Sequence, residues 1–215
     1  MSLTCLAIIF SIVVSATPAS PASAPSPGGG KPSDERSKLE VYLAAHDVAS
    51  AEDLQRLATT PEKVLMAVAS DAHVEGLVRA RAVAALHLVG SHEAQAFLSK
   101  LIQSKAKTTD ATDRLILRRA AVVLGWMAGA GTAEELAQLF DNDDADVRLD
   151  AAIGIGLTRA ETAATLLRRQ LTAESAPRVR AQIERQLHAL DQVLPPEPEK
   201  EPSHAPKKQP MRGGW

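Results

Sequence analysis

Between residues 34 and 194 apolar side chains recur three and four positions apart, and no four-residue run of clean apolar and polar alternation survives as a strand. That spacing predicts a series of helices, each about 10 to 18 residues long with one buried face. The pattern breaks near Thr60 and Pro61, at Gly90 and Ser91, across Lys105 to Asp110, at Gly129 to Gly131, at Asp141 to Asp146, at Thr158 to Glu161 and at Ser175 to Pro177. Gly, Pro, Ser and Asp are the residues that interrupt or cap helices, so these points read as turns. The segment is all-α.

The helices repeat. An apolar residue followed by arginine occurs at Val78-Arg79, Leu117-Arg118, Val147-Arg148 and Val179-Arg180, at intervals of 39, 30 and 32 residues. Intervals of that size suit one helical hairpin per unit. Four positions after each apolar residue stand Ala82, Ala121, Ala151 and Ile183, and eight positions after it Leu86, Gly125, Ile155 and Leu187, all on one stripe. Each of the first three members is followed by a turn and a second amphipathic segment: SHEAQAFLSKLI, GTAEELAQLF and AETAATLLRRQL. A hairpin this poor in aromatics cannot bury its face alone and must be sheltered by its neighbours. The last helix, Pro177 to Leu190, keeps only Val179, Ile183, Leu187 and Leu190 apolar, a narrow stripe with a polar back that suits a terminal cap.

The stretches DDADVRLDAAIGIGL, LVRARAVAALHLVGSHEAQAFLSKLI and LRRAAVVLGWMAGAGTAEELAQLF resemble HEAT repeats of the short bacterial type, related to phycobilisome-lyase repeats. The resemblance spans roughly residues 61 to 190. It implies a right-handed α-solenoid of stacked antiparallel helix pairs. Two departures bear on the regularity of its curvature. The 39-residue interval holds an extra SKAKTTDATD loop, and no acid precedes Leu117 where Asp144 precedes Val147.

Composition adds the two ends. Residues 1–16 carry no charged side chain, and LTCLAIIFSIVVSA has the length of a secretory apolar region, with Val14 and Ala16 at the positions a signal peptidase reads. Residues 1–16 are therefore read as a signal peptide and the protein as secreted or periplasmic. It touches a membrane only if that N-terminal helix is retained. Residues 17–33, rich in Pro, Ala, Ser and Gly, read as a flexible spacer, and 195–215 as a disordered Pro-rich charged tail. Cys5 is the only cysteine, so a processed chain would form no disulfide and no thiolate metal site. The net charge of −2 gives no clustered positive field for nucleic acid.

Candidate chemistry is sparse. DNDDADVRLDAAIGIGLT, residues 141–158, looks at first like a calcium loop, but Asp146 stands where its central glycine belongs and Ala152 where its chelating acid belongs. Asp143 or Asp144 is expected instead to cap the following helix. Gly154 and Gly156 lack the third glycine and the preceding strand of a dinucleotide fingerprint, which leaves close helix packing as their role. The resemblance implies that Arg79, Arg118, Arg148 and Arg180 staple neighbouring repeats through acids of the adjacent turn; an anion-binding ladder is the alternative. The histidines form no i, i+4 pair, and only His92-Glu93 resembles one of the several His-Glu pairs that hold iron in HEAT-repeat deoxyhypusine hydroxylase, so no metal and no cofactor are expected. Neither a nucleophile elbow nor the basic aromatic groove of a HEAT-type DNA glycosylase is present.

The expected function is a non-catalytic scaffold that binds another protein in the cell envelope or outside the cell. Second helices line the concave side of such stacks, which nominates Gln95, Lys100, Glu135, Gln138, Arg168 and Arg169 as partner-binding residues. The alternatives are a structural envelope spacer or tether and, further off, a lyase or isomerase acting on a bound chromophore.

Overall fold

The computed structural model describes residues 32–46 and 48–193, and every regular element among them is helical. In chain order these are α1 (Pro32–Ala45), α2 (Ala51–Leu57), α3 (Pro61–Ser70), α4 (Gly76–Val89), α5 (His92–Lys105), α6 (Ala111–Ala128), α7 (Ala133–Ala137), α8 (Ala145–Thr158), α9 (Glu161–Ala173) and α10 (Pro177–Val193). The expected signal peptide and charged tail lie outside the described residues. So does most of the expected spacer, although α1 opens at Pro32, inside its last two positions.

Local chemistry starts and stops these helices. Ser50, Ser91, Asp110 and Asp144 each place a side-chain oxygen on an amide of the first turn that follows, supplying an acceptor the helix lacks. Pro61 and Pro177 occupy first helical positions, where a missing N–H costs nothing. Gly129 ends α6 at φ 63°, a conformation that suits glycine, whereas α8 ends on Arg159 at φ 52°, where a side chain is disfavoured. Two breaks escape the hydrophobic pattern, one between α1 and α2 and one at 71–75 between α3 and α4. The expected helix over GTAEELAQLF is also broken. Its five α-helical residues are flanked by tighter 3-10 turns at Gly129–Thr132 and Gln138–Asp141.

The longer helices pack side by side. α4 lies on α3 and α6, α6 on α4, α5 and α8, and α8 on α6, α7, α9 and α10. Each of α4, α6 and α8 packs more extensively on the helix that precedes it than on the one that follows. Each of these helices therefore pairs with the one before it, whereas the sequence pattern paired it with the one after. Helices α4, α6, α8 and α10 run in the same direction. Gly76 meets Thr112 at one end of α4 and α6 while Gly90 meets Met127 at the other; Gly125 meets Gly154, and Gly156 meets Gln186.

The core is aliphatic. Leu65, Leu86, Leu98, Leu117, Leu124, Leu136, Val147, Ile155, Leu167, Val179 and Ile183 are buried, interleaved with Ala82, Ala120, Ala121, Ala151 and Ala163. Each large side chain withdrawn from water contributes roughly 1.5–3 kcal/mol. The small ones let backbones approach, and closest approach falls between α6 and α8. A Cβ on Gly125 would run into the Gly154 backbone, and one on Gly154 into the Ala121 carbonyl. The stretch Ala111–Asp141 is long and apolar enough to cross a membrane by composition, but it contains α6, flanked by α4 and α8, and the break at Gly129–Thr132.

Candidate functional site

The four repeated arginines divide into two kinds. Arg118, on α6, donates from Nε to Asp150 at 2.7 Å and from an Nη to Asp146 at 3.2 Å, both on α8. Arg148, on α8, holds Glu174 in the turn before α10 through two bonds of 2.8 and 2.9 Å, while its other nitrogen donates to the carbonyls of Asn142 and Asp143. Arg79 and Arg180 meet backbone instead of a carboxylate among the described residues. Arg79 donates to the Ala69 carbonyl near the end of α3, and Arg180 to the carbonyls of Leu171 and Glu174 at the end of α9. Helix C-termini expose unsatisfied carbonyls with a negative partial charge, so a guanidinium there caps the preceding helix. The expectation of a staple to an acid is thus corrected for Arg79 and Arg180.

The acids respond to these partners. The fork of Arg148 holds the Glu174 carboxyl at about 2, against burial, which opposes it. Asp150 behaves in the opposite way. Its burial outweighs the hydrogen bond from Arg118 and pushes its carboxyl up. Burial also opposes ionisation of Asp144, but the amides of Asp146 and Val147 outweigh it and hold this carboxyl below its ordinary value. Asp144 is the cap of α8, accepting from those amides at 2.8 and 3.3 Å, and it also takes Arg114 at 2.7 Å. Asp143 is not the cap. Its backbone carbonyl accepts from Arg148.

Of the nominated partner-binding residues, Lys100, Gln138, Arg168 and Arg169 are exposed, and Arg168 lies 3.5 Å from Asp191. Gln95 and Glu135 are engaged inside the protein. Gln95 donates to the Met127 carbonyl at the end of α6, and Glu135 accepts from Ser99 at 3.0 Å and from Gln103. Both therefore tie α5 to the α6–α7 region instead of offering free groups to a partner.

Other ties have no sequence signature. Glu62 on α3 accepts from the amides of Ser91 and Ala94 and from the Ser91 hydroxyl, which places a carboxylate at the N-terminus of α5. Arg81 donates to the carbonyls of Leu43 and Ala44 at the end of α1, and Asn142 to the Ala106 carbonyl after α5. These partners are 29 to 38 residues apart. Among the described residues no group of three or more His, Cys, Asp and Glu converges as metal ligands would. An open apolar groove of about 500 Å³ runs beside α1 and α2, where Tyr42 and His46 stack with ring centres 4.5 Å apart.

Besides exposed Val41 and Val48, a further apolar surface lies across α6 and α8. On α6, Trp126 is 63% exposed and Val122, one turn earlier, is half-buried. On α8, Ile153 and Leu157 repeat that spacing, and both are half-buried. Gly125 and Gly154 mark the line where the two helices touch. At 100° per residue Val122 and Trp126 lie to one side of that line on α6, and Ile153 and Leu157 lie to the same side on α8, away from Leu136 of α7. The four form one strip across two helices. Comparison with family models, curated proteins and solved structures returns no match for this chain.

Proposed function

We propose that the chain is a non-catalytic helical scaffold of the HEAT-repeat type, a right-handed α-solenoid that binds another protein and is exported through the apolar segment at residues 1–16. The shared direction of α4, α6, α8 and α10 and the recurrence of arginine at one position of each support the solenoid reading. The observation that carries the binding reading is the strip of Val122, Trp126, Ile153 and Leu157. Apolar side chains gathered on adjacent helices, Trp126 largely in water and the other three partly so, favour association, and contiguous patches of this kind mark interaction surfaces. Arg118, at the border of the strip, is already committed to stitching α6 to α8 through Asp146 and Asp150. Lys100, Arg168 and Arg169 are exposed and supply charge for steering.

Photo-crosslinkers introduced singly at Val122, Leu157 and Arg169 in the full chain, in cells, test this proposal. One discrete heterologous adduct at Val122 and Leu157 is the expected result. Adducts at none of the three positions would remove the scaffold reading, and an adduct only at Arg169 would move the contact to α9.

A further inference from the structure

The strip has a shape as well as an apolar character. Gly125 and Gly154 let α6 and α8 meet backbone to backbone, so Val122 and Trp126 on one helix and Ile153 and Leu157 on the other stand as two short ridges beside a shallow furrow. On each helix the two members are four residues apart, about one turn. Two parallel ridges of that pitch suit a third helix, whose own i and i+4 side chains settle between them. Val122, Ile153 and Leu157 are half-buried, and Trp126 alone of the four stands clear. A bilayer needs several side chains projecting into it, so the furrow favours a helix over a lipid surface.

Charge narrows the partner further. Arg119 is exposed, two turns before Trp126 on the same outward side of α6 and toward α4. On α10, Gln186 faces Gly156 of α8, which turns the exposed Arg178 and Arg185 to the side that Ile153 and Leu157 occupy on theirs. The acids of this side are already engaged. Asp150 accepts from Arg118 at 2.7 Å, and Asp146 is shared between Arg118 at 3.2 Å and Arg178 at 3.7 Å. Arg185 donates to the neutral oxygen of Gln182, and Arg119 pairs directly with no carboxylate among the described residues, although its field reaches Asp150. The surplus is therefore positive on both flanks of the furrow, Arg119 on one and Arg185 on the other. A second copy docked through the same face would bring the same surplus, and like charges opposed across an interface are costly.

We infer that the α6–α8 furrow takes an amphipathic helix of another protein, with apolar side chains at i and i+4 against Trp126, Val122, Ile153 and Leu157 and with Asp or Glu on both flanks, opposite Arg119 and Arg185. This rests on the scaffold proposal and names the chemistry of its partner. A partner of other chemistry would still leave adducts at Val122 and Leu157, so the two fail separately.

Two synthetic peptides of about 15 residues serve as probes, each braced by a hydrocarbon staple on its outer face because free helices of that length are marginal in water. Both carry leucine at i, i+4 spacing along one face, and they differ only in the flanking residues, glutamate in one and lysine in the other. In the full chain with Trp215→Phe, Trp126 is the sole tryptophan, and its emission reports occupancy of the furrow. The glutamate peptide is expected to shift that emission to the blue with saturation and to bind at least about five-fold tighter than the lysine peptide, the gap narrowing as salt rises. Arg119→Glu with Arg185→Glu should invert the order, whereas Arg119→Lys with Arg185→Lys should keep it. Saturation by neither peptide, equal affinity for the two, or an order that charge reversal leaves unchanged would each overturn the inference. So would a blue shift produced by phosphatidylglycerol vesicles and not by the glutamate peptide, which gives the strip to a membrane, or one that grows with protein concentration alone, which gives it to a second copy. Unchanged far-ultraviolet dichroism certifies that each variant is folded.

Discussion

On one side α6 meets α4, and on the other it meets α8. Toward α4 the groups that α6 presents to the glycines are side chains: Gly76 faces Thr112, and Gly90, which also meets the Leu86 carbonyl of its own helix, faces the flexible end of Met127. Toward α8 the glycines face backbone, Gly125 against Gly154 and Gly154 against the Ala121 carbonyl. The second seam also carries Arg118 on Asp146 and Asp150, and Arg114 on Asp144. One helix is thus held by adjustable packing on one flank and by rigid approach with fixed charge pairs on the other. Repeats that look alike in sequence need not be joined alike, and the glycines and acids near residues 141–156 mark the rigid side.

The largest effect separating the two flanks should come from Gly154→Ala. Its methyl has no free space, and neither backbone can yield without parting the helices. We expect a net loss of about 3 kcal/mol even though alanine favours the helix by roughly 1 kcal/mol. Gly76→Ala should cost less, about 1–2 kcal/mol, because it opposes a side chain and not a backbone, although the β-branched Thr112 relieves the contact only in part by turning. Urea unfolding of both measures the difference, and equal costs would erase the distinction between the seams. Next come the arginines. Arg148→Met leaves Glu174 buried without its partner and should cost about 3–5 kcal/mol, whereas Arg79→Met loses a bond to one carbonyl and should cost about 1 kcal/mol.

The pH dependence sharpens the same contrast. Glu174 sits at about 2 when folded, against an ordinary value of 4.5. Between those values the unfolded chain binds the proton more readily. Its stabilisation, about 3 kcal/mol for such a shift, is full above pH 4.5 and is lost as pH falls through about 2. Asp150, pushed up by burial, has the opposite sign. What it gains from being protonated is full below its ordinary value and is lost as pH rises through its raised one. Stability measured from pH 2 to 6 should therefore fall less steeply toward acid in Glu174→Gln than in the parent, and an unchanged slope would remove Glu174 from the seam's electrostatics. The smallest contrast is between neighbours. Asp144→Ala should cost about 1–2 kcal/mol as a lost cap, with Asp143→Ala within a few tenths, both read from the thermal midpoint.

Most turns were legible because Gly, Pro, Ser and Asp act chemically there. Asp144, Pro177 and Gly129 each work through the adjoining backbone, and their identity announces it. The turn at 71–75 was missed although Asp71 accepts from the His73 amide there, because Ala72 and Val74 carry the apolar spacing across it. The arginine positions were visible as a period, but their partners were not. Whether a guanidinium meets Glu174 or the Ala69 carbonyl depends on which groups the preceding turn brings within reach. Gln95 and Glu135 looked free for a related reason, since Met127, Ser99 and Gln103 become their neighbours only once the helices stack. The apolar strip was hidden because Val122, Ile153 and Leu157 are indistinguishable in sequence from core residues.

That α4, α6, α8 and α10 point the same way has an electrical consequence. Four aligned macrodipoles bring four partial positive charges to one edge, where they repel each other across spacings of about 10 Å. Asp110, Asp144 and Glu174, in the turns leading into α6, α8 and α10, act as built-in counterions for that edge. Acid strong enough to protonate Asp144 and Glu174 would leave the poles of α8 and α10 unshielded, so the helix row should begin to open from those two turns.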